Sequence, residues 1–129
     1  MTQFIASIAL IIPDYDQAID FYVSKLGFDL LEDTQMTTEK RWVAIAPPGA
    51  KETRIILTQA YKPDQISAVG NQAGGGVLMI LRTDDFDRDY NRMLDSEVEF
   101  LEAPRTETYG KVVVFKDPFG HKWDLIEPI

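Results

Sequence analysis

The chain has no cysteine and only one histidine among its 129 residues. Without thiols it can form neither a disulfide framework nor a thiolate metal ligand, a composition that suits a reducing compartment. A single histidine also prevents one chain from assembling a two-histidine metal site. The composition therefore argues against disulfide-stabilised folds and against histidine-rich metal centres.

Positive charge and long apolar runs are also scarce. The chain has 13 Lys and Arg against 21 Asp and Glu, a formal net charge of −8. This charge disfavours nucleic acid and anionic membranes as partners, because both need a positive surface. No run approaches the roughly 18 apolar residues of a membrane span, and no cationic segment precedes the first apolar stretch. The sequence predicts a cytoplasmic protein that binds neither nucleic acid nor membrane.

What the chain does contain is one pattern that occurs twice. Residues 8–16 (IALIIPDYD) and 79–87 (MILRTDDFD) are each an apolar strand that runs into an acidic-aromatic-acidic helix start, at an offset of 71 (79 − 8). Glu32 and Glu102 are related by 70 (102 − 32), and the later matches drift only to 68. Small differences in loop length produce such a drift, so the chain is read as two copies of one unit.

Each copy is predicted to have the order βαβββ. The first copy has predicted strands at 5–12, 28–32, 41–46 and 54–59, and the second has them at 77–82, near 98–103, at 110–116 and at 121–126. A helix follows the first strand of each copy; Asp14 is its predicted N-cap in the first copy, Gly27 its end, and the second helix covers 84–96. The predicted fold is α+β, with modules at 1–60 and 76–129 and a linker at 61–75.

Two phrases carry a family resemblance. The entry phrase IIPD…FY…LGF between residues 11 and 28 and the closing phrase DPFGHKWDLIE at 117–127 resemble the vicinal oxygen chelate superfamily. That superfamily includes glyoxalase I, extradiol dioxygenases, fosfomycin-resistance enzymes and the metal-free bleomycin-resistance proteins. The resemblance implies two tandem βαβββ modules whose curved mixed sheets surround a shared cavity, and commonly a homodimer.

The resemblance also locates the metal positions. Enzymes of the superfamily bind a divalent metal through His or Glu at four positions, on the first and last strands of each module. Those positions correspond here to Ser7, Ile56, Leu78 and Asp124. Only Asp124 is a plausible ligand, since Ile and Leu cannot bind a cation and Ser binds one poorly. We therefore expect no metal and no cofactor; the alternative is a site rebuilt from Asp124, a neighbouring Glu and water.

Strand alternation separates a cavity face from a face covered by the helix. The expected ligand-binding residues are Ser7, Arg54, Ile56, Leu78, Arg82, Arg105 and Asp124. The residues expected beneath the helices are Ile8, Leu10, Ile12, Ile55, Leu57, Val77, Met79, Leu81, Trp123 and Leu125. The three arginines are candidates to bind an anionic ligand group, or else they pair with the chain's own carboxylates.

Asp124 and three further side chains have two interpretations each. Asp124 is either a general base with a raised pKa or the partner of a cation in the cavity. Trp42 and Tyr109 either stack on a planar ligand or pack in the core or an interface. His121 follows a Pro-Phe-Gly turn and has the parity of Trp123, which favours a structural role over a catalytic one.

Three functional hypotheses follow. The favoured one is a metal-independent protein that binds a small organic molecule, as the metal-free resistance proteins do. The alternative is a glyoxalase-like lyase, isomerase or dioxygenase with a rebuilt metal site. A structural dimer whose cavity is filled is the third.

Overall fold

The computed structural model describes residues 1–129, which form two compact units, Met1–Ala68 and Val69–Ile129. The first unit contains strands β1 (Ser7–Ile12), β2 (Asp29–Gln35), β3 (Arg41–Ala46) and β4 (Arg54–Gln59), with helices α1 (Tyr15–Ile19) and α2 (Pro63–Ala68). Helix α1 continues as a π-helical segment over Asp20–Lys25. The strand order is β1-β4-β3-β2, in which β1 and β4 are parallel and the other pairs are antiparallel.

The second unit repeats this arrangement. It contains β5 (Val77–Arg82), helix α3 (Phe86–Asp95), β6 (Glu99–Phe100), β7 (Arg105–Glu107), β8 (Gly110–Lys116) and β9 (Lys122–Pro128). The strand order is β5-β9-β8-β6, and β7 also pairs with β8. The prediction of an α+β fold with two tandem βαβββ modules is confirmed. No helix of the chain has both the length and the apolar character needed to cross a membrane.

The two helix starts have the same local cause. The Asp14 carboxylate accepts a hydrogen bond from the Gln17 N–H at 2.9 Å, and the Asp85 carboxylate accepts one from Arg88 N–H at 3.1 Å. Each bond satisfies one of the N–H groups that the first helical turn leaves unpaired. Because 85 − 14 and 88 − 17 both equal 71, the sequence repeat is also a repeat of capping chemistry.

Each sheet has one face packed beneath its helix. In the first unit Leu10, Ile12, Ile55 and Leu57 are at most 5% exposed. In the second unit a series of ring contacts runs through the core, linking Phe86, Tyr90, Phe100, Phe115 and Trp123. We call the opposite side of each sheet its open face. Every second residue of β1, β4 and β9 lies there, as the alternation predicts.

Apart from strand ends that differ by up to three residues, the structure departs from the predicted elements in three places. Helix α2 occupies part of the segment predicted as a linker; Pro63 begins it, a favourable first helical residue because no N–H is needed there. Of the strand predicted near 98–103 only Glu99–Phe100 forms a strand, and a further short strand, β7, follows Pro104, which cannot donate to the sheet. The register of β5 shifts after Val77. Val77 therefore lies beside Lys122 and is 40% exposed, so the prediction that it faces the helix is wrong.

Candidate ligand-binding site

The open face of the first sheet carries the predicted residues of the first module. Ser7 and Arg54 are register partners across β1 and β4, and Ala9 and Ile56 are the next pair on that face. Ser7 and Arg54 are exposed, whereas Ile56 is half-buried. The face thus combines a small hydroxyl, a guanidinium and an aliphatic side chain in adjacent rows.

Arg54 is not a free cation. Its Nη1 lies 3.0 Å from Oε2 of Glu32, and the indole Nε1 of Trp42 donates to the same oxygen at 2.9 Å. Trp42 is 40% exposed, so its ring is held by the carboxylate while one part of it still faces solvent. Glu32 lies opposite Ala44, which is fully buried, and its Oε2 accepts from both Arg54 and Trp42.

The open face of the second sheet is centred on Asp124. Its register partners are Ile80 on β5 and Val114 on β8, and Ile80 is 68% exposed. The Asp124 carboxyl is half-buried and makes no hydrogen bond or ion pair. Burial raises the pKa of Asp124, while the charge of Arg105 opposes the rise and that of Glu102 adds to it. An unpaired acceptor among apolar side chains can bind a hydrogen-bond donor of a ligand.

Arg105 lies between two carboxylates. Its Nε is 2.9 Å from Glu102 Oε2, and its Nη1 is 2.7 Å from Glu107 Oε1. Arg105 donates these hydrogen bonds, and its interactions with Glu102, then Glu107 and Tyr109, raise its pKa above the ordinary value. For Arg54 and Arg105 the structure therefore supports the second of the two predicted roles, pairing with the chain's own acids.

Arg82 differs from both. It is exposed at the end of β5, and its guanidinium makes no hydrogen bond or ion pair. It lines an open surface groove of about 460 Å³ with Thr83, Asp84, Glu127 and Pro128. Glu127 is already engaged, since its Oε1 accepts the Phe86 N–H at 2.7 Å. Leu78, the other predicted residue of this strand, is half-buried and falls at the register shift of β5.

The side chains do not fit a divalent metal. In the first unit the two positions identified by resemblance are Ser7 and Ile56, and in the second they are Leu78 and Asp124. One carboxylate, one hydroxyl and two aliphatic side chains supply too few donors for a transition metal. No group of three or more His, Cys, Asp or Glu side chains is placed to hold a metal ion.

His121 has a structural position. It is 2% exposed, and its Nε2 accepts the Gly70 N–H at 3.2 Å. Gly70 has φ of +70°, and a Cβ there would lie 2.0 Å from the carbonyl oxygen of Phe119. The close approach of the backbone at Gly70 to that at Phe119 requires glycine, and the histidine beside it is buried inside the second unit. Its parity with Trp123, which is also 2% exposed, agrees with the sequence interpretation.

Sequence reasoning did not assign Glu32, Glu102 or Glu107 to the site. Glu32 and Glu102 were recognised only as equivalent members of the repeat, at an offset of 70. The occurrence of glutamate at equivalent positions of the two modules was the sequence signal that could have pointed to these residues. It did not reveal the role, because the partners of each carboxylate come from other strands.

Two tandem βαβββ units, each with one helix-covered face and one open face that mixes polar and apolar side chains, define a protein of the glyoxalase type. The chain belongs to the Glyoxalase/Bleomycin resistance protein/Dioxygenase superfamily, whose family profile matches residues 4–125.

Three similar proteins illustrate this membership. A protein from Shewanella frigidimarina (strain NCIMB 400) is 52% identical over 128 residues, covering 98% of this chain and 95% of the relative. The crystal structure of TnmS3, an antibiotic binding protein from Streptomyces sp. CB03234, has a TM-score of 0.79 and 31% identity, over 99% of this chain and 98% of that one. A glyoxalase/bleomycin resistance protein from the same Streptomyces strain has a TM-score of 0.73 and 32% identity, over 95% and 98% of the two chains.

Proposed function

We propose that this protein is a metal-independent binding protein for a small organic molecule. Two facts together carry the proposal: the side chains at the positions equivalent to metal ligands, and the character of the open faces around them. Three of the four hold Ser7, Ile56 and Leu78, while the surrounding open faces keep exposed apolar and unpaired polar groups. A pocket that mixes aliphatic side chains with a few polar groups is typical of small-molecule sites.

The proposed binding residues are those predicted from the sequence: Ser7, Arg54, Ile56, Leu78, Arg82, Arg105 and Asp124. Asp124 and Arg82 have the strongest support, because neither charged group makes a hydrogen bond or an ion pair within the protein. The similarity to TnmS3, an antibiotic binding protein, supports a ligand of organic character. A homodimer in the cytoplasm completes the proposal, on the grounds of the family habit and the absence of cysteine.

The alternative, a glyoxalase-like lyase, isomerase or dioxygenase, needs a catalytic metal. No observation favours it, because Asp124 is the only metal-binding side chain among the four positions. Family membership does not decide between the two functions, since one fold can host many chemistries.

A thermal-shift screen tests the binding function. Matched aromatic and aliphatic acids, amides and amines are added to the protein, because a molecule that binds the native state must raise the melting temperature. We expect at least one compound to stabilise the protein in a concentration-dependent manner, and Asp124→Asn or Arg82→Gln to reduce that shift. Trp42 offers a second signal, since its indole is 40% exposed whereas Trp123 is 2% exposed.

Arg92→Gln is the matched control for Arg82→Gln. Arg92 is also exposed and has no ion pair, but it lies on helix α3. The control should leave the shift unchanged. Equal stabilisation of the wild type and of the Asp124 and Arg82 variants would contradict the assigned residues, and a screen without any stabilising compound would contradict the function.

A further inference from the structure

A β-bulge places Glu32 on the open face of the first sheet. Leu30 pairs with Ile45, whose side chain is buried, but Glu32 pairs with the next residue of β3, Ala44. Residues 30 and 32 of a regular strand would share one face. The extra residue, Leu31, turns the strand, so that Glu32 points to the opposite side from Leu30.

The second sheet has an equivalent irregularity. Phe100 pairs with the buried Phe115, and Leu101 N–H then donates to the Val114 carbonyl at 3.0 Å. The next residue, Glu102, accepts the Val114 N–H at 3.1 Å with its side-chain carboxylate. Each of these residues is related to its counterpart around Glu32 by an offset of 70, for example 102 − 32 and 114 − 44. Both modules thus aim an acid at the same place on the open face.

The two acids hold arginines that are not equivalent in the repeat. Glu32 pairs with Arg54 from β4, and Glu102 pairs with Arg105 from β7. The equivalent of Arg54 in the second module is Lys122 (122 − 54 = 68), whose Nζ donates instead to the Gly75 carbonyl at 2.9 Å. The glutamate is therefore the residue that both open faces share, while its arginine partner comes from a different strand in each module.

We infer that Glu32 and Glu102 determine ligand charge: by holding Arg54 and Arg105 in internal ion pairs, they make both open faces select uncharged or cationic ligand groups over anions. This inference rests on the proposed binding function. A ligand anion that approached either arginine would also approach its carboxylate, and like charges in contact oppose binding. The immediate surroundings of Arg105 are more acidic still, because Arg105 also contacts Glu107, whereas the unpaired Arg82 lies at the end of β5.

The first experiment does not depend on an organic ligand. Side-chain ¹H–¹⁵N NMR follows the Nε–H signals of Arg54 and Arg105 during addition of about 10 mM sulfate, a concentration at which general salt effects are small. We expect the signals to stay unchanged in the wild type. In Glu32→Gln the Arg54 signal should shift saturably, and in Glu102→Gln the Arg105 signal should do so. Saturable sulfate binding at these arginines in the wild type would overturn the inference.

The second experiment compares two compounds that share a ring system and differ in charge. Naphthamide and naphthoate have the same planar body, and their dissociation constants are measured for the wild type, Glu32→Gln and Glu102→Gln. We expect the wild type to bind the amide more tightly, and at least one Gln variant to gain about tenfold in affinity for the carboxylate, as removal of one contacting charge implies. Amide affinity should change less than about twofold.

Two control variants complete the design. Glu39→Gln removes an exposed glutamate that has no ion pair and should change neither affinity, which separates the local effect from net charge. Glu102→Gln combined with Arg105→Gln should lose the gain in carboxylate affinity. If both compounds bind and the Gln variants leave their preference unchanged, the inference fails and the binding function stands. If neither compound binds any variant while sulfate gives the expected result, the charge selection stands and the proposed ligand class fails.

Discussion

At the scale of single residues, Asp124 is the side chain on which both functional hypotheses depend. It is the one metal-competent group among the four equivalent positions, and it is also a half-buried carboxyl without a hydrogen bond or an ion pair. Desolvation of such a group favours its neutral form. Asp124 therefore costs stability when it is ionised.

Asp124→Asn should stabilise the protein at neutral pH. The folded-state pKa of Asp124 is raised above its ordinary value, so the native state binds the proton more tightly than the unfolded state does. Stability therefore falls as the pH rises from the unfolded-state pKa to the folded-state pKa. The loss of stability caused by ionised Asp124 is complete above the folded-state pKa and absent below the unfolded-state pKa. Urea unfolding at about pH 7 should show a higher midpoint for the variant, and the difference should vanish near pH 3.

The control for this measurement is Asp20→Asn, which changes an exposed aspartate without an ion pair. It should not reproduce the pH-dependent gain. A loss of stability in Asp124→Asn at neutral pH would show that the carboxylate is stabilised by interactions within the fold.

At the scale of elements, the repeated helix caps are the clearest link between sequence and structure. Asp14 and Asp85 each occupy the N-cap with extended backbone, and each accepts an N–H from the third residue of the following turn. Both helices also have an acidic residue in their first turn, which the helix dipole favours.

Asp14→Ala and Asp85→Ala should each lower the free energy of unfolding by about 1 kcal/mol, the usual effect of removing an N-cap side chain. Chemical denaturation of the two variants measures the effect. The Asn variants should retain most of the stability, because the amide oxygen still accepts the N–H. Equal losses for Asn and Ala would assign the effect to charge and not to the hydrogen bond.

The element scale also shows where sequence prediction stops. The bounds of β3, β4, β5 and β8 are those that the sequence predicts, since each has a clear apolar pattern between turn residues. Helix α2 was missed because it has only six residues and no buried side chain that would create a periodic signal. The bulge at Leu31 and the shift after Val77 were missed because a register depends on the partner strand.

At the scale of the whole molecule, the main question is whether the chain retained metal chemistry. The two modules supply Ser7, Ile56, Leu78 and Asp124 at the positions where the resembled enzymes have His or Glu. The charge of −8 would attract cations in general, so weak binding at the surface is distinct from a specific site.

We expect no stoichiometric transition metal after purification without chelators. Elemental analysis measures this directly, and melting with added Ni²⁺, Zn²⁺, Mn²⁺ and Fe²⁺ should show no specific stabilisation, because a metal that binds the native state raises stability by mass action. Magnesium chloride at equal ionic strength controls for screening. Stoichiometric metal that is lost in Asp124→Ala would contradict the prediction and favour the enzyme hypothesis.

The sequence by itself determined the repeat, the order βαβββ in each copy, the helix caps and the poverty of metal-binding side chains. These features are local or compositional: capping depends on residues three apart, and an apolar strand can be recognised without its partner. The resemblance to the family rested on the same local phrases and was confirmed by the profile match over residues 4–125.

Only the tertiary structure decided which charges remain free. From the sequence, Arg54, Arg82 and Arg105 were equal candidates for an anion. In the fold Arg54 pairs with Glu32 across 22 residues, Arg105 pairs with Glu102 and Glu107, and Arg82 has no partner. The physical reason is that an ion pair requires its atoms within about 4 Å, and a single bulged residue decides which face of a sheet a carboxylate reaches.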